Sequence, residues 1–415
     1  MTVRNRRVAR SAALATVLAL ATAALAACST ASSQAPASGG GGGASASSAP
    51  ASSAPASGAS ASGSASGAQA AAQAKIAAAT ALPTFTLDAP SFDVSKAKGK
   101  TVLNIPITEQ IPYVKAVDDE MKSVATKYGV KWINYQNNGT PTDWSKGVDY
   151  GIAIHANLII LHSGINPATV IPALQRAKAA GIPVMATHTY QVGQTLPASV
   201  AGLITATTRA PFQQSGQLQA DYVVAQSGCT AQPVIVTAGD LLASAPILAG
   251  MKSELQSLCP DITPGVIDVP VAQWGTNIKP DVQSYLVSHP GTNWIMASYD
   301  DMVIPTSAAI QAVGKSTSVR VTSYNGTPAN VALIEQGNVF AADMGESIQW
   351  LAWSVNDQAF RILSGVSPVV SGDEGTPLRV IDDSNVAQLG TPPGNDAGYG
   401  TAYVAGYEAL WKTQG

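Results

Sequence analysis

From residue 100 onward the chain repeats one pattern: a short, continuously apolar run, a turn, then a longer stretch with apolar residues three and four apart. A run apolar on every side reads as a strand buried on both faces, and the amphipathic stretches supply the helices that cover it. Strands are expected over residues 101–107, 131–135, 157–162, 183–187 and 202–205, with helices over 113–128 and 167–180. The rhythm restarts after Arg209. Strands are expected over 233–237, 266–271, 294–297, 319–323 and 339–342, and helices over 211–226, 245–258, 278–288, 302–313 and 347–363, with a short helix after Asn325. Two such series predict an α/β chain of two lobes, each a doubly wound parallel sheet.

The segment before residue 100 is different in kind. Arg4, Arg6, Arg7 and Arg10 precede an apolar run over 11–27, the order of a secretory signal, and Leu25-Ala26-Ala27-Cys28 matches the bacterial lipobox. Residues 1–27 are therefore expected to be a signal peptide. Cys28 is expected to carry lipid, holding the protein at the extracytoplasmic face of the cell membrane. From Ser29 to Ala74 nearly every residue is Ala, Ser, Gly or Pro, and no charge occurs between Arg10 and Lys75. Such a stretch has too little apolar surface to offset its ordering entropy, so residues 28–80 are expected to form a disordered tether with a span of roughly 35–40 Å.

Composition narrows the function. A net charge of −3 and a pI near 5.8 give no basic footprint for nucleic acid. Beyond the leader no run of eighteen apolar residues occurs. Two cysteines remain, Cys229 and Cys259, and in an oxidising compartment they read as one disulfide, with free buried thiols the alternative. No metal site is expected, because none of the four histidines has a ligand partner at i+4. Nor is a cofactor: there is no G-x-G-x-x-G after a strand, and residues 309–316 (AIQAVGKS) lack the first glycine of a Walker A loop. The G-x-S-x-G elbow and H-E-x-x-H are absent too, so no enzyme is expected.

Open parallel sheets bind ligands beyond the carboxyl ends of their strands. Those positions hold Gln110, Tyr113, His162, Ser163, His188, Trp274, Tyr299, Asp300, Asp301, Tyr324, Asn325, Asp343 and Glu346. Rings offer faces to C–H groups while short amides, hydroxyls and carboxylates pair with hydroxyls, a set suited to a sugar-like small molecule.

Three segments carry a resemblance: A-K-A-A-G-I-P-V (177–184), Y-D-D-M (299–302) and Y-N-G-T-P (324–328). In order and spacing they match "K-A-A-G-I-P-V", "N-D-x-M" and "F-D-G-T-P", and residues 100–365 resemble the sugar-binding lipoproteins of ATP-binding-cassette (ABC) importers, in the ribose/galactose-type periplasmic binding group. The resemblance implies a monomer with a three-crossover hinge near Thr208, Asn325 and Asp343. It places residues 100–208 and 326–343 in an N-terminal lobe, and 209–325 and 344–415 in a C-terminal lobe with its tail. It also implies ligand contacts from Tyr113, Ser163, His188, Trp274, Tyr299, Asp300, Tyr324, Asn325 and Glu346, to which the strand-end positions add Asp343. His188-Thr189 stands where the family often has an Asp-Arg pair, and Ala245-Pro246-Ile247-Leu248 where it often has an arginine, so fewer cationic donors are expected.

The function these features imply is capture of a sugar or similar polar molecule and its delivery to an ABC permease. A sensor that presents ligand to a receptor kinase or chemoreceptor, a binder of a non-sugar polar ligand, and a hydrolase using Asp300, Asp343 or Glu346 are the alternatives. A DNA-binding repressor is excluded by the leader and by the lack of a helix pair before Lys100.

Overall fold

The structure is a computed structural model that describes residues 58–412, apart from Asn338 and Asp396. The signal peptide, Cys28 and tether residues 28–57 lie outside the described residues.

The helix α1 (Gly58–Ala79) comes first, followed by β1 (Thr101–Pro106), α2 (Pro112–Lys127), β2 (Lys131–Asn134), α3 (Pro141–Ala153), β3 (Leu158–His162), α4 (Ile171–Ala179), β4 (Val184–Gln191), α5 (Ala198–Ala201) and β5 (Ala206–Ala210). These five strands form one parallel sheet in the order β2-β1-β3-β4-β5. The chain continues through α6 (Phe212–Ser227), β6 (Pro233–Thr237), α7 (Ser244–Leu258), β7 (Gly265–Asp268), α8 (Trp274–Ser288), β8 (Trp294–Ala297), α9 (Val303–Ala312), β9 (Arg320–Asn325), α10 (Pro328–Glu335), β10 (Phe340–Glu346), α11 (Ile348–Ser364), β11 (Leu378–Asp382) and α12 (Ala402–Leu410). The second sheet runs β11-β10-β9-β8-β6-β7, parallel except for β11 against β10.

Each sheet has its own core. Around β1 and β3 every strand side chain from Val102 to Pro106 and from Leu158 to His162 is buried, as a sheet covered on both faces requires. Pro112 opens α2, whose Val114, Val117, Met121 and Val124 face the sheet. Helices α6 and α7 cross at two glycines: a Cβ on Gly216 would lie 2.1 Å from the Ile247 carbonyl, and one on Gly250 2.1 Å from that of Gln213. Only glycine permits that approach. Cys229 and Cys259 are bridged just beyond the ends of these helices.

Three expectations are corrected. First, the hinge. Residues 326–343, assigned to the first lobe, carry α10 and most of β10 and belong to the second core. Residues 344–415, assigned to the second lobe, return α11 and α12 to the first core. The chain does not cross at Asn325 or Asp343. It crosses after β5, after Glu346, between α11 and β11, and again before α12. A crossing inside β10 would strip backbone groups of their sheet partners, so the strand is completed first.

Second, residues 58–79 are not disordered. They form α1, which lies on α6 with Ala72 and Ile76 buried. Gln69 and Gln73 donate to the Ala225 carbonyl at 3.1 and 3.3 Å, and Lys75 pairs with Asp221 at 3.2 Å and with Glu254. Alanine carries the highest helix propensity, and small side chains allow close docking on a surface already built. Beyond α1 the chain passes to the first lobe: Arg379 of β11 donates to the Thr80 carbonyl, whereas Phe85 packs on Trp350 and Tyr407.

Third, helix α3, strand β11 and helix α12 were not foreseen, and the fifth strand lies at Ala206–Ala210 rather than 202–205.

Candidate ligand cleft

Between the lobes lies a narrow cleft. The first lobe lines it with Ile107, Ile111, Tyr113, Val114, Ser163, Gly164 and His188. The second contributes Leu241, Ala243, Trp274, Tyr299, Asp301 and Asn325. No lysine or arginine is among these lining residues.

Local backbone geometry aims several of them. Ser163 follows β3, His188 lies within β4 where the register shifts, and Asn325 ends β9, with φ of +59°, +50° and +145°. Non-glycine residues adopt such angles at a cost of about 1–3 kcal/mol, which the surrounding fold must supply, and such strain gathers at functional positions. His162 holds Ser163: its Nε2 lies 2.7 Å from Ser163 Oγ and its Nδ1 2.7 Å from Thr187 Oγ1. Burial and the neighbouring His188 ring keep His162 well below the usual histidine range, so it is neutral.

Trp274 opens α8 and stacks on Tyr299, ring centroids 5.7 Å apart at 28°. Their polar atoms are engaged inward, Trp274 Nε1 donating to the Val269 carbonyl at 3.0 Å and Tyr299 Oη lying 2.8 Å from Ser244 Oγ. The aromatic rings are thereby fixed, with their polar atoms already satisfied. Asp301 reaches the cleft one residue after Asp300. Burial, with the charge of Asp300 behind it, pushes its carboxyl up to about 7.

Behind this lining two buried polar groups join the structure together. In the first, Glu346 Oε2 lies 2.8 Å from His188 Nε2, accepts from Tyr113 at 3.3 Å and also accepts from Tyr324. Tyr113 and His188 belong to the first lobe, Tyr324 and Glu346 to the second, so this knot spans the lobes. Burial and the Glu346 charge hold both tyrosines well above their usual range, as neutral donors. In the second, Asp300 accepts from Ser323 Oγ and from the Thr327 amide at 2.6 Å, while the Gly326 amide donates to Asp343 at 3.1 Å. Burial and the adjacent Asp300 push Asp343 well above the carboxylate range, so it holds a proton.

The architecture and cleft match a known family. A model of the periplasmic binding protein domain matches residues 102–366. The chain belongs to this family. No curated protein sequence matches it. Among solved structures, an ABC transporter solute-binding protein from Mycobacterium smegmatis with bound glycerol is similar at a TM-score of 0.60 and 21% identity, covering 70% of this chain and 96% of that one. One from Bacillus halodurans with bound myo-inositol gives 0.60 at 19%, covering 71% and 99%. A 5-methylthioribose transporter solute-binding protein from Thermotoga lettingae gives 0.62 at 14%, covering 79% and 96%. At these identities the likeness establishes the type I periplasmic binding protein fold, two α/β lobes about a cleft.

In this family member the ten residues named from the sequence divide into two groups. Tyr113, Ser163, His188, Trp274, Tyr299 and Asn325 line the cleft. Tyr324 and Glu346 form the knot behind it, and Asp300 and Asp343 lie deeper within the second lobe, fully buried. The cleft-facing acid is Asp301, which the strand-end reading included and the motif match passed over. The aliphatic residues Ile107, Ile111, Val114, Leu241 and Ala243 were not anticipated as cleft lining, because an apolar side chain carries no chemical signature. Among the described residues no cluster of three or more His, Cys, Asp or Glu is placed to hold a metal, and no helix is long and apolar enough to cross a membrane.

Proposed function

We propose that this protein is the solute-binding component of an ABC-type importer and captures a sugar or polyol-like molecule between its lobes without altering it covalently. The observation that carries this reading is the cleft itself, where the Trp274–Tyr299 stack faces Tyr113 and His188 across the lobes, with Asn325 and Asp301 supplying polar partners. The bound glycerol and myo-inositol of the similar structures agree with that chemistry. Ligand bridging the lobes favours the closed state by its additional contacts there, and the closed form is what a permease would recognise. We further propose that Cys28 carries the lipid anchor on the extracytoplasmic face. Loss of labelled-palmitate incorporation in Cys28→Ser checks this.

Titrating the purified protein with pentoses, hexoses, polyols and simple glycosides, and following tryptophan fluorescence, tests the main reading. A saturable change is expected, and Trp274→Ala should weaken binding by about 1–3 kcal/mol. Silence from a folded sample across the whole panel rejects it.

A further inference from the structure

The cleft wall is unusual in what it leaves for a ligand. Ile107 and Ile111 lie along the β1–α2 connection and Val114 in the first turn of α2, and Leu241 faces them from the loop after β6. Leu241 packs against both cores, and its neighbour Leu242 against that of the opposite lobe, so this loop is an apolar lip reaching across the opening. Gly164 lies beneath the lip, within ordinary packing distance of Leu241. Polar capacity is scarce by comparison. The Trp274, Tyr299 and Ser163 side chains already have protein partners. Asp301 and Asn325 are the remaining polar lining groups of the second lobe. With no cationic side chain in the lining, an anionic ligand would meet no counter-charge.

We propose that the cleft selects a hydroxylated, non-anionic compound that bears an apolar substituent, an alkyl or aryl glycoside rather than a free sugar, with Leu241, Ile107 and Ile111 holding the substituent. This rests on the sugar-binding reading above and narrows it. A bare polyol would leave the half-buried Ile111 and Leu241 against water in the closed cleft, whereas a substituent removes both its own apolar surface and theirs from solvent.

Calorimetric titration of the full chain with matched pairs decides the matter: D-glucose against phenyl β-D-glucopyranoside, and D-ribose against benzyl β-D-ribopyranoside. The substituted partner is expected to bind at least tenfold more tightly in one pair. If the free sugar binds as tightly or more tightly in both, the proposal falls and the sugar-binding function stands. If no compound in either pair binds while a non-glycosidic polyol such as myo-inositol does, the proposal again falls alone. If none of these compounds binds, both fall. Leu241→Asn, a half-buried loop position, separates recognition from sealing. It should reduce the advantage of the substituted partner to under threefold. An equal loss for both partners would make the lip a seal only.

Discussion

The two lobes share one plan yet are fastened on their outer sides by different means. The first is closed by rings: Trp353 stacks on Trp411 at 5.0 Å and 5°, Tyr128 and Phe360 meet Trp411 edge-on, and Trp411 Nε1 donates to Asp357 at 2.6 Å. Among the described residues the second has ring pairs such as Tyr222 and Trp294 but no cluster of this size. It is held by the Cys229–Cys259 bridge and by α1, a helix of small residues docked on α6. Aromatic packing derives from residues far apart in sequence, residues 128 and 411 among them, and so is won only when the whole lobe forms. A disulfide acts instead on the unfolded chain, and a docked helix adds surface to a lobe that is already folded. The difference implies separable stabilities.

The comparison can be broken at its strongest point first. Trp411→Ala should cost the first lobe about 3–5 kcal/mol, as large aromatic truncations do. Hydrogen exchange should report faster opening across β1 and β3 while β6 and β8 keep their protection. Equal loss in both sheets would show that the lobes unfold as one.

Next comes the bridge. Replacing both cysteines by serine releases a sequence separation of 30 residues and should destabilise the second lobe by about 3–4 kcal/mol, read from denaturant midpoints. The first lobe should be untouched.

A smaller effect, about 1–3 kcal/mol, is expected from Lys75→Ala, which leaves the buried carboxylates of Asp221 on α6 and Glu254 on α7 without their half-exposed cation. Exchange should quicken in α1 without change in α6.

The least disruptive change is Asp343→Asn, and its sign is what informs. Asp343 has a raised folded-state pKa, so its contribution to stability is greatest below the unfolded value and is lost as pH rises through the folded one. The variant should match the natural protein near pH 4 and gain on it as pH increases. A parallel pair of stability curves from pH 4 to 8 would contradict the protonated assignment.

How much of this was legible in the sequence depends on the length scale of the physics. The parallel strands and the helices between them were readable because continuous burial leaves a continuous apolar run, as in Leu158–His162. The lobe assignment of residues 326–343 and 344–415 was not, since the choice of core for α11 is made by contacts with α2 rather than by its own pattern. Helix α3 was hidden for a related reason: Gly147 and Gly151 let it lie tightly against Ile105 and Ile159, and glycines dilute an amphipathic signal. At the cleft, positions after strands located seven of the thirteen lining residues, Asp301 among them. Motif matching could not tell Asp300 from Asp301, because one residue along a turn reverses whether a side chain meets the cleft or the lobe interior.

The passage from α1 to the first lobe also sets a limit on movement. Thr80 is held to the second lobe through Arg379 and Phe85 to the first through Trp350. Only four residues lie between these attachments, and the five steps from Thr80 to Phe85, fully extended, reach roughly 17–18 Å. The chain ahead of the first strand is thus a rein on the jaws of the cleft: beyond that reach, wider opening must first release one of its two moorings.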